Sequence, residues 1–181
     1  MDAEALKRAL NKAGSDILDI SNIRPQYNRI ILEKDYQDAL YSILKNDYTL
    51  QVEAAYPPHP NQGRRKCDLR IVEAARETWI EMKCPTCSVL QGNDAILHNN
   101  NDDFDQWQAD IDRLQTLPNN YQKLFLGIVL YDQWDENYLL VQNMRNSEYN
   151  FDEYYFGSFN WQNATMENPI EVHSKAFILE V

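Results

Sequence analysis

Hydrophobic residues recur along this chain with two periods, one typical of helices and the other typical of strands. A helical spacing of apolar residues predicts helices over 2–12, from about 25 to 45, and over 104–117. Gly14 is expected to end the first helix, and Pro118 follows the last one. The chain is therefore predicted to contain three helices, with strands between the second and the third.

Alternating or continuous apolar runs predict the strands, which lie over 48–55, 67–72, 79–83, 123–131, 138–141 and 176–181. The second and third of these are separated by a turn short enough for a β-hairpin. The run 123–131 is almost wholly apolar, which is typical of a strand buried on both faces. The order of elements thus predicts an α/β (α+β) fold, a mixed β-sheet flanked by helices.

The length of 181 residues and a hydrophobic content of 44% suit one hydrophobic core, so we expect a single domain over 1–181. Within it, residues 24–132 carry the mixed helices and strands, and residues 133–181 form a β-rich extension packed on them. This extension is rich in aromatic residues. We expect them to pack in a core or a dimer interface, and stacking of nucleic-acid bases is the alternative.

Strand parity divides the proposed hairpin into two faces. The apolar positions that share one face are expected to be buried: Leu69, Ile71, Ile80 and Met82. The opposite face then brings Asp68, Glu81 and Lys83 together. Two carboxylates held close together repel each other and bind a hard divalent cation such as Mg²⁺ well. An ammonium group beside them would suit metal-assisted hydrolysis of a phosphodiester.

Asp68, a hydrophobic strand and then Glu81-x-Lys83 resemble the PD-(D/E)xK nuclease superfamily, which includes restriction endonucleases and DNA-repair nucleases. Cys67 stands where the name of the family has proline, a position at which its members vary. The order helix, strand, strand, strand, helix, strand over 24–132 is also similar to the common core of that superfamily. The resemblance leaves both ends of the chain unexplained.

The resemblance implies a restriction endonuclease-like core and a Mg²⁺-dependent endodeoxyribonuclease, with Mn²⁺ able to replace Mg²⁺. Asp68, Glu81 and the backbone carbonyl of Met82 would bind the metal, and Lys83 would position the attacking water and stabilise charge on the phosphate. Family members often carry a further acidic residue on the preceding helix, which Glu33 would supply here. The partner would be DNA, and a homodimer would allow both strands to be cut.

Further candidates come from position in the chain. Glu53 lies near the end of the first predicted strand, where its side chain is expected on the same face as that of Gln51. It is a further candidate metal ligand. Gln108, on the helix after the motif, is a candidate substrate contact. The densest basic cluster abuts Asp68 and suits phosphate binding, with a solvated loop as the alternative; it comprises Arg64, Arg65, Lys66 and Arg70.

The cysteines suggest a second kind of site. Cys84 and Cys87 form a CxxC pair, which with Cys67 and His98 would make up a Cys₃His set for zinc. A second CxxC is missing and the spacing is irregular, so we expect thiols rather than structural zinc. Three cysteines, an odd number, favour a reducing cytoplasm. The chain shows neither a signal-peptide pattern nor an apolar run as long as a membrane helix, so no membrane partner is expected.

The net charge of −11 opposes direct nucleic-acid binding, because proteins that bind the phosphate backbone usually carry an excess of basic residues. It supports two alternatives. One is a catalytically silent acidic binding protein of the same fold, such as an inhibitor, an immunity-type protein or a mimic of nucleic acid. The other is a subunit of a larger restriction or defence complex, in which a protein partner grips the DNA.

Overall fold

The computed structural model describes residues 1–23, 33–57, 65–84, 101–131, 139–161, 168 and 170–181. These residues contain four helices: α1 Ala3–Ile23, α2 Glu33–Leu44, α3 Asn101–Gln115 and α4 Leu139–Asn146. They also contain six strands: β1 Thr49–Ala55, β2 Lys66–Val72, β3 Glu77–Lys83, β4 Gln122–Tyr131, β5 Asp152–Trp161 and β6 Ile170–Glu180. The predicted order of helices and strands from α2 to β4 is confirmed.

The strands form one mixed sheet in the order β1-β2-β3-β4-β6-β5. Every neighbouring pair is antiparallel except β3 and β4, which run parallel with Lys83 beside Gly127. A parallel pair needs a crossover connection, and α3 lies within the one between β3 and β4. Because α3 packs against both of these strands, it covers the end of the hairpin that carries the predicted motif.

Helices pack on both faces of the central strands of the sheet, whereas the edge strand β1 is mostly exposed. One face packs on α1 and α2 and includes the four apolar hairpin positions predicted to be buried, Leu69, Ile71, Ile80 and Met82. The other packs on α3 and α4 around Trp79, Trp107 and Phe125. Every residue of β4 is buried, as its apolar run predicted. On the charged face of the hairpin, Glu81 is therefore buried, while Asp68 and Lys83 are half-buried.

The first helix is longer than predicted, because α1 continues through Gly14 to Ile23. A glycine inside a helix costs about 1 kcal/mol relative to alanine. Here a Cβ atom at Gly14 would lie 3.0 Å from Cδ2 of Phe156 on β5, so the missing side chain lets the helix approach the sheet closely. Glycine at this position reflects close packing, and the prediction that it ends the helix is wrong.

The strand predicted over 138–141 is also wrong, because α4 begins at Leu139 and continues to Asn146. Leu140, Val141 and Met144 are buried, which is the one-sided spacing of a helix. The apolar run ends before Met144, so a short window suggested a strand. The predicted strand over 176–181 is confirmed, although β6 begins earlier, at Ile170.

Residues 24–32, where the second helix was predicted to begin, lie outside the described part of the chain, and α2 ends at Leu44, close to the predicted end. The segment 85–100 also lies outside it. None of the described helices is both long enough and apolar enough to cross a membrane.

Candidate active site

The hairpin register places Asp68 and Glu81 next to each other on adjacent strands. Leu69 pairs with Ile80 in the antiparallel ladder, so Asp68 and Glu81 are the next opposed positions. Lys83 follows Glu81 by two residues and shares its face. The predicted grouping of these three side chains is what the structure contains, at the end of the hairpin beneath α3.

Asp68 is held from both its side chain and its backbone. Its Oδ2 accepts a 2.7 Å hydrogen bond from the backbone N–H of Met82. Its backbone carbonyl accepts a 2.9 Å hydrogen bond from Nε2 of Gln37, a buried residue of α2. The first contact orients the carboxylate and the second holds the backbone of Asp68, which is the kind of pre-organisation that a metal ligand or an acid–base group requires.

Glu81 belongs to a cluster of four carboxyl groups, with Glu33, Asp68 and Asp110. It is the most deeply buried of them, with 3% of its side chain exposed. Burial, then the nearby charge of Asp68 and a hydrogen bond to the Asp68 side chain, raise the pKa of Glu81 to about 8. Its Oε1 accepts hydrogen bonds from the hydroxyl of Tyr56 and, at 3.3 Å, from Nη1 of Arg113. A pKa of about 8 favours the protonated form of Glu81 at neutral pH, even with Arg113 beside it.

The ammonium group of Lys83 lies between two carboxylates of this site. Its Nζ lies 3.0 Å from Oδ2 of Asp110 and 3.8 Å from Oε2 of Glu33. Burial would lower the pKa of Lys83, but the negative charges of Asp110 and Glu33 outweigh it and raise this pKa above its ordinary value. Lys83 therefore remains an ammonium ion, suited to orienting water and stabilising negative charge and not to removing a proton.

Glu33 reaches the cluster from the first residue of α2. Its Oε2 accepts a 3.2 Å hydrogen bond from the backbone N–H of Cys84, directly after β3. Burial raises the pKa of Glu33, although the charge of Lys83 opposes this. The helix residue suggested by the resemblance thus lies beside the motif lysine.

Four further residues of the cluster were not predicted as site residues: Gln37, Tyr56, Asp110 and Arg113. Asp110 and Arg113 are one helical turn apart on α3 and are joined by a 2.6 Å ion pair. Both belong to the inner face of a helix whose neighbouring inner residues are apolar, Trp107, Ile111 and Leu114. Charged residues within an apolar stripe were the signal in the sequence that pointed to them.

The chemistry of the cluster suits a hard divalent cation. Four carboxyl groups, from Glu33, Asp68, Glu81 and Asp110, surround two cations, Lys83 and Arg113, which leaves a formal excess of two negative charges when all ionise. Their donors are oxygen atoms, the ligands that Mg²⁺ and Mn²⁺ prefer. In the described part of the chain, however, no three His, Cys, Asp or Glu side chains are arranged to hold a metal ion. Further ligands would have to come from the Met82 carbonyl, water or a substrate phosphate.

Glu53 has a different environment from the residues of this cluster. Its φ of 48° lies in the left-handed region, and the β1–β2 register skips it between Val52 and Ala54. Its neighbours keep their ladder partners, Leu69 for Val52 and Cys67 for Ala54, so the departure from strand geometry is confined to Glu53. Its carboxylate is exposed and pairs with Nζ of Lys66 at 2.9 Å.

The proposed substrate-binding residues are spread over different surroundings. Arg65, which precedes β2, and Lys66, its first residue, are exposed. Arg70 binds the Glu77 carboxylate through two hydrogen bonds of 3.0 and 2.8 Å and lies over the ring of Trp79. Gln108 is half-buried on α3. Arg64 lies outside the described residues.

Of the four residues considered as a zinc set, Cys67 and Cys84 are described and buried, while Cys87 and His98 lie outside the described residues. The thiol of Cys67 donates to the backbone carbonyl of Ile80 at 3.0 Å, and burial raises its pKa. Cys67 therefore packs as a small buried side chain next to Asp68.

Comparisons with protein-family models, with curated proteins and with solved structures gave no match for this chain. A proposal about function therefore depends on the geometry of the site and on the motif.

Proposed function

We propose that the protein is a metal-dependent nuclease that hydrolyses phosphodiester bonds in DNA. The observation that carries this proposal is the pair of adjacent carboxyl groups of Asp68 and Glu81 beside the ammonium group of Lys83. We further propose that α2, β1, β2, β3, α3 and β4 form a restriction endonuclease-like core, because their order and the strands that carry the motif are similar to those of the PD-(D/E)xK superfamily.

Asp68, Glu81 and the backbone carbonyl of Met82 would hold Mg²⁺ or Mn²⁺, with Glu33 at the edge of the site. Such an ion, when bound, lowers the pKa of a water molecule and withdraws charge from a phosphate oxygen. Lys83 would orient that water and stabilise the charge that develops on the phosphate. In-line attack on phosphorus would break the bond to the 3′ oxygen, which takes up a proton, and leave a 5′ phosphate.

A cleavage assay tests this proposal, with plasmid and single-stranded DNA as substrates and with Mg²⁺, Mn²⁺ or a chelator present. We expect cleavage by the natural protein in either metal and almost complete loss in Asp68→Asn and in Lys83→Gln. The first change removes a carboxylate ligand, and the second removes the ammonium charge. Each loss should amount to about 100-fold or more.

Asp152→Asn provides the matched control, since Asp152 is an exposed carboxylate of β5 that pairs with Lys7. Its cleavage rate should equal that of the natural protein. Circular dichroism and thermal unfolding would verify that all variants fold. Cleavage that persists in a folded Asp68→Asn variant, or that is unaffected by the chelator, would refute the proposal.

One observation favours a second function, an acidic binding protein that does not cleave DNA. The carboxyl groups of the cluster already have protein partners: Arg113 contacts Glu81 and Asp110, and Lys83 contacts Asp110 and Glu33. Such an internal network would be stable without metal, and the net charge of −11 suits a basic partner. A protein that neither cleaves nor shifts DNA in a gel, with or without metal, would support this function.

A further inference from the structure

Arg113 occupies an unusual position for an arginine, because it extends from α3 into the carboxyl cluster. Nη1 lies 3.3 Å from Oε1 of Glu81, and Nη2 lies 2.6 Å from Oδ1 of Asp110. Only 14% of its side chain is exposed. The guanidinium group thus contacts a carboxyl group of β3, on which the proposed metal site depends, as well as one on its own helix.

The packing of α3 on the sheet sets this position. Trp107 of α3 lies directly over Gly127 of β4, where a Cβ atom would be only 2.1 Å from the indole ring. Gly127 is the neighbour of Lys83 in the parallel register. Because α3 approaches so closely here, Asp110, one turn beyond Trp107, reaches Lys83, and Arg113, one turn further, reaches Glu81.

Asp110 connects the two cations of the cluster. Its Oδ2 contacts Lys83 at 3.0 Å, while its Oδ1 contacts Arg113. Lys83 is thereby directed towards α2 and Asp110, and Arg113 is directed towards Glu81. The cluster therefore contains its own counter-charge on the Glu81 side, where the proposed metal would bind.

We propose that Arg113 is a built-in counter-cation for the Asp68–Glu81 pair and that it competes with a divalent metal ion for Glu81. This inference rests on the proposed function, since it assigns a regulatory role within the same site. In the absence of nucleic acid, Arg113 keeps metal affinity low. A substrate phosphate adds negative charge to the site and shifts the balance towards the metal.

Simple charge counting gives the direction of the effect. A divalent ion at Glu81 is repelled by Arg113 through two units of charge, whereas ionised Glu81 is attracted to Arg113 through one unit. The net contribution of Arg113 to metal binding is therefore unfavourable, even when the metal must displace a proton or the arginine from Glu81. Removing the positive charge of Arg113 should therefore tighten metal binding.

Isothermal titration of the full chain with Mn²⁺ alone, without nucleic acid, tests this inference. We expect Arg113→Gln to bind Mn²⁺ about tenfold more tightly than the natural protein, or more. Arg113→Lys retains the positive charge and should stay within about twofold. The matched control is Arg145→Gln, since Arg145 forms a similar ion pair with Glu153 away from the cluster; its affinity should not change.

Thermal unfolding would establish that each variant is folded, and the double variant Asp68→Asn/Arg113→Gln would locate the ion. Tighter binding in Arg113→Gln that the second change abolishes is the expected result. Equal Mn²⁺ affinity in the natural protein and in folded Arg113→Gln would overturn the inference while leaving the metal site intact. Absence of Mn²⁺ binding in every variant would also overturn the inference. The proposed nuclease function would then be tested separately by the DNA cleavage assay.

Discussion

Glu81 is the residue whose chemistry depends most on its surroundings. A glutamate on the surface is ionised at neutral pH, but here burial and the charge of Asp68 raise its pKa to about 8. The hydroxyl of Tyr56 and the guanidinium of Arg113 satisfy its Oε1. The carboxyl group thus remains without charge near neutral pH in the free protein and becomes a good ligand when a cation displaces its proton.

This raised pKa predicts how the stability of the protein depends on pH. Between the ordinary pKa of 4.5 and about 8, the folded state keeps the Glu81 proton and the unfolded state does not. Glu81 therefore lowers the free energy of unfolding as pH rises through this window, with a slope approaching about 1.4 kcal/mol per pH unit. We expect Glu81→Gln, which cannot titrate, to lose this dependence and to be the more stable protein near pH 8.

Urea unfolding at several pH values, from about 5 to 8.5, measures the difference between the two proteins. Glu148→Gln serves as a control, because Glu148 is exposed after α4. A difference in stability that stays constant across this range would show that Glu81 ionises at an ordinary pH.

The helix α3 contributes the two charged residues that contact Lys83 and Glu81, namely Asp110 and Arg113. Its contact with the sheet depends on the missing side chain of Gly127, since Trp107 fills that space. From this contact the helix extends Asp110 to Lys83 and Arg113 to Glu81. A small displacement of α3 would therefore change two ion pairs at the motif.

Gly127→Ala should destabilise the protein by about 1–3 kcal/mol, because the new methyl group would overlap the Trp107 ring. Denaturant unfolding measures this cost. In the background Trp107→Leu the ring is absent, so the same change should cost clearly less than in the natural protein. Equal costs in both backgrounds would mean that the contact does not limit how closely α3 packs.

The whole chain is strongly acidic, and its candidate site carries part of that excess. With a net charge of −11, the folded protein is destabilised by repulsion among its own charges, and any added salt screens this repulsion. A metal bound at the carboxyl cluster would stabilise the folded state by a further amount that screening cannot provide.

Thermal unfolding in about 5 mM MgCl₂ and in about 15 mM NaCl compares the two effects at equal ionic strength. We expect a higher Tm in MgCl₂ for the natural protein, and the same Tm in both salts for Asp68→Asn. Asp152→Asn, which changes the net charge by the same amount, should keep the extra stabilisation by MgCl₂. An equal gain from MgCl₂ in Asp68→Asn would place the bound magnesium elsewhere.

Local patterns in the chain were enough to predict the hairpin, the buried β4 and the grouping of Asp68, Glu81 and Lys83. Side chains alternate along a strand, so the apolar positions of a hairpin also fix where its charged positions point. The same reasoning does not cover Glu53, whose φ of 48° departs from strand geometry and whose exposed carboxylate pairs with Lys66. The helix-ending signal at Gly14 was wrong, since α1 passes through it.

The remaining partners of the site come from packing between distant segments. Tyr56 follows β1 and Arg113 lies on α3, yet both contact Glu81, which is 25 and 32 residues away along the chain. No local period relates such positions, because their distance depends on how closely a helix settles on the sheet. The hairpin pattern thus located the two carboxyl groups and the lysine, whereas packing between distant segments supplied their partners and the burial that raises the pKa of Glu81.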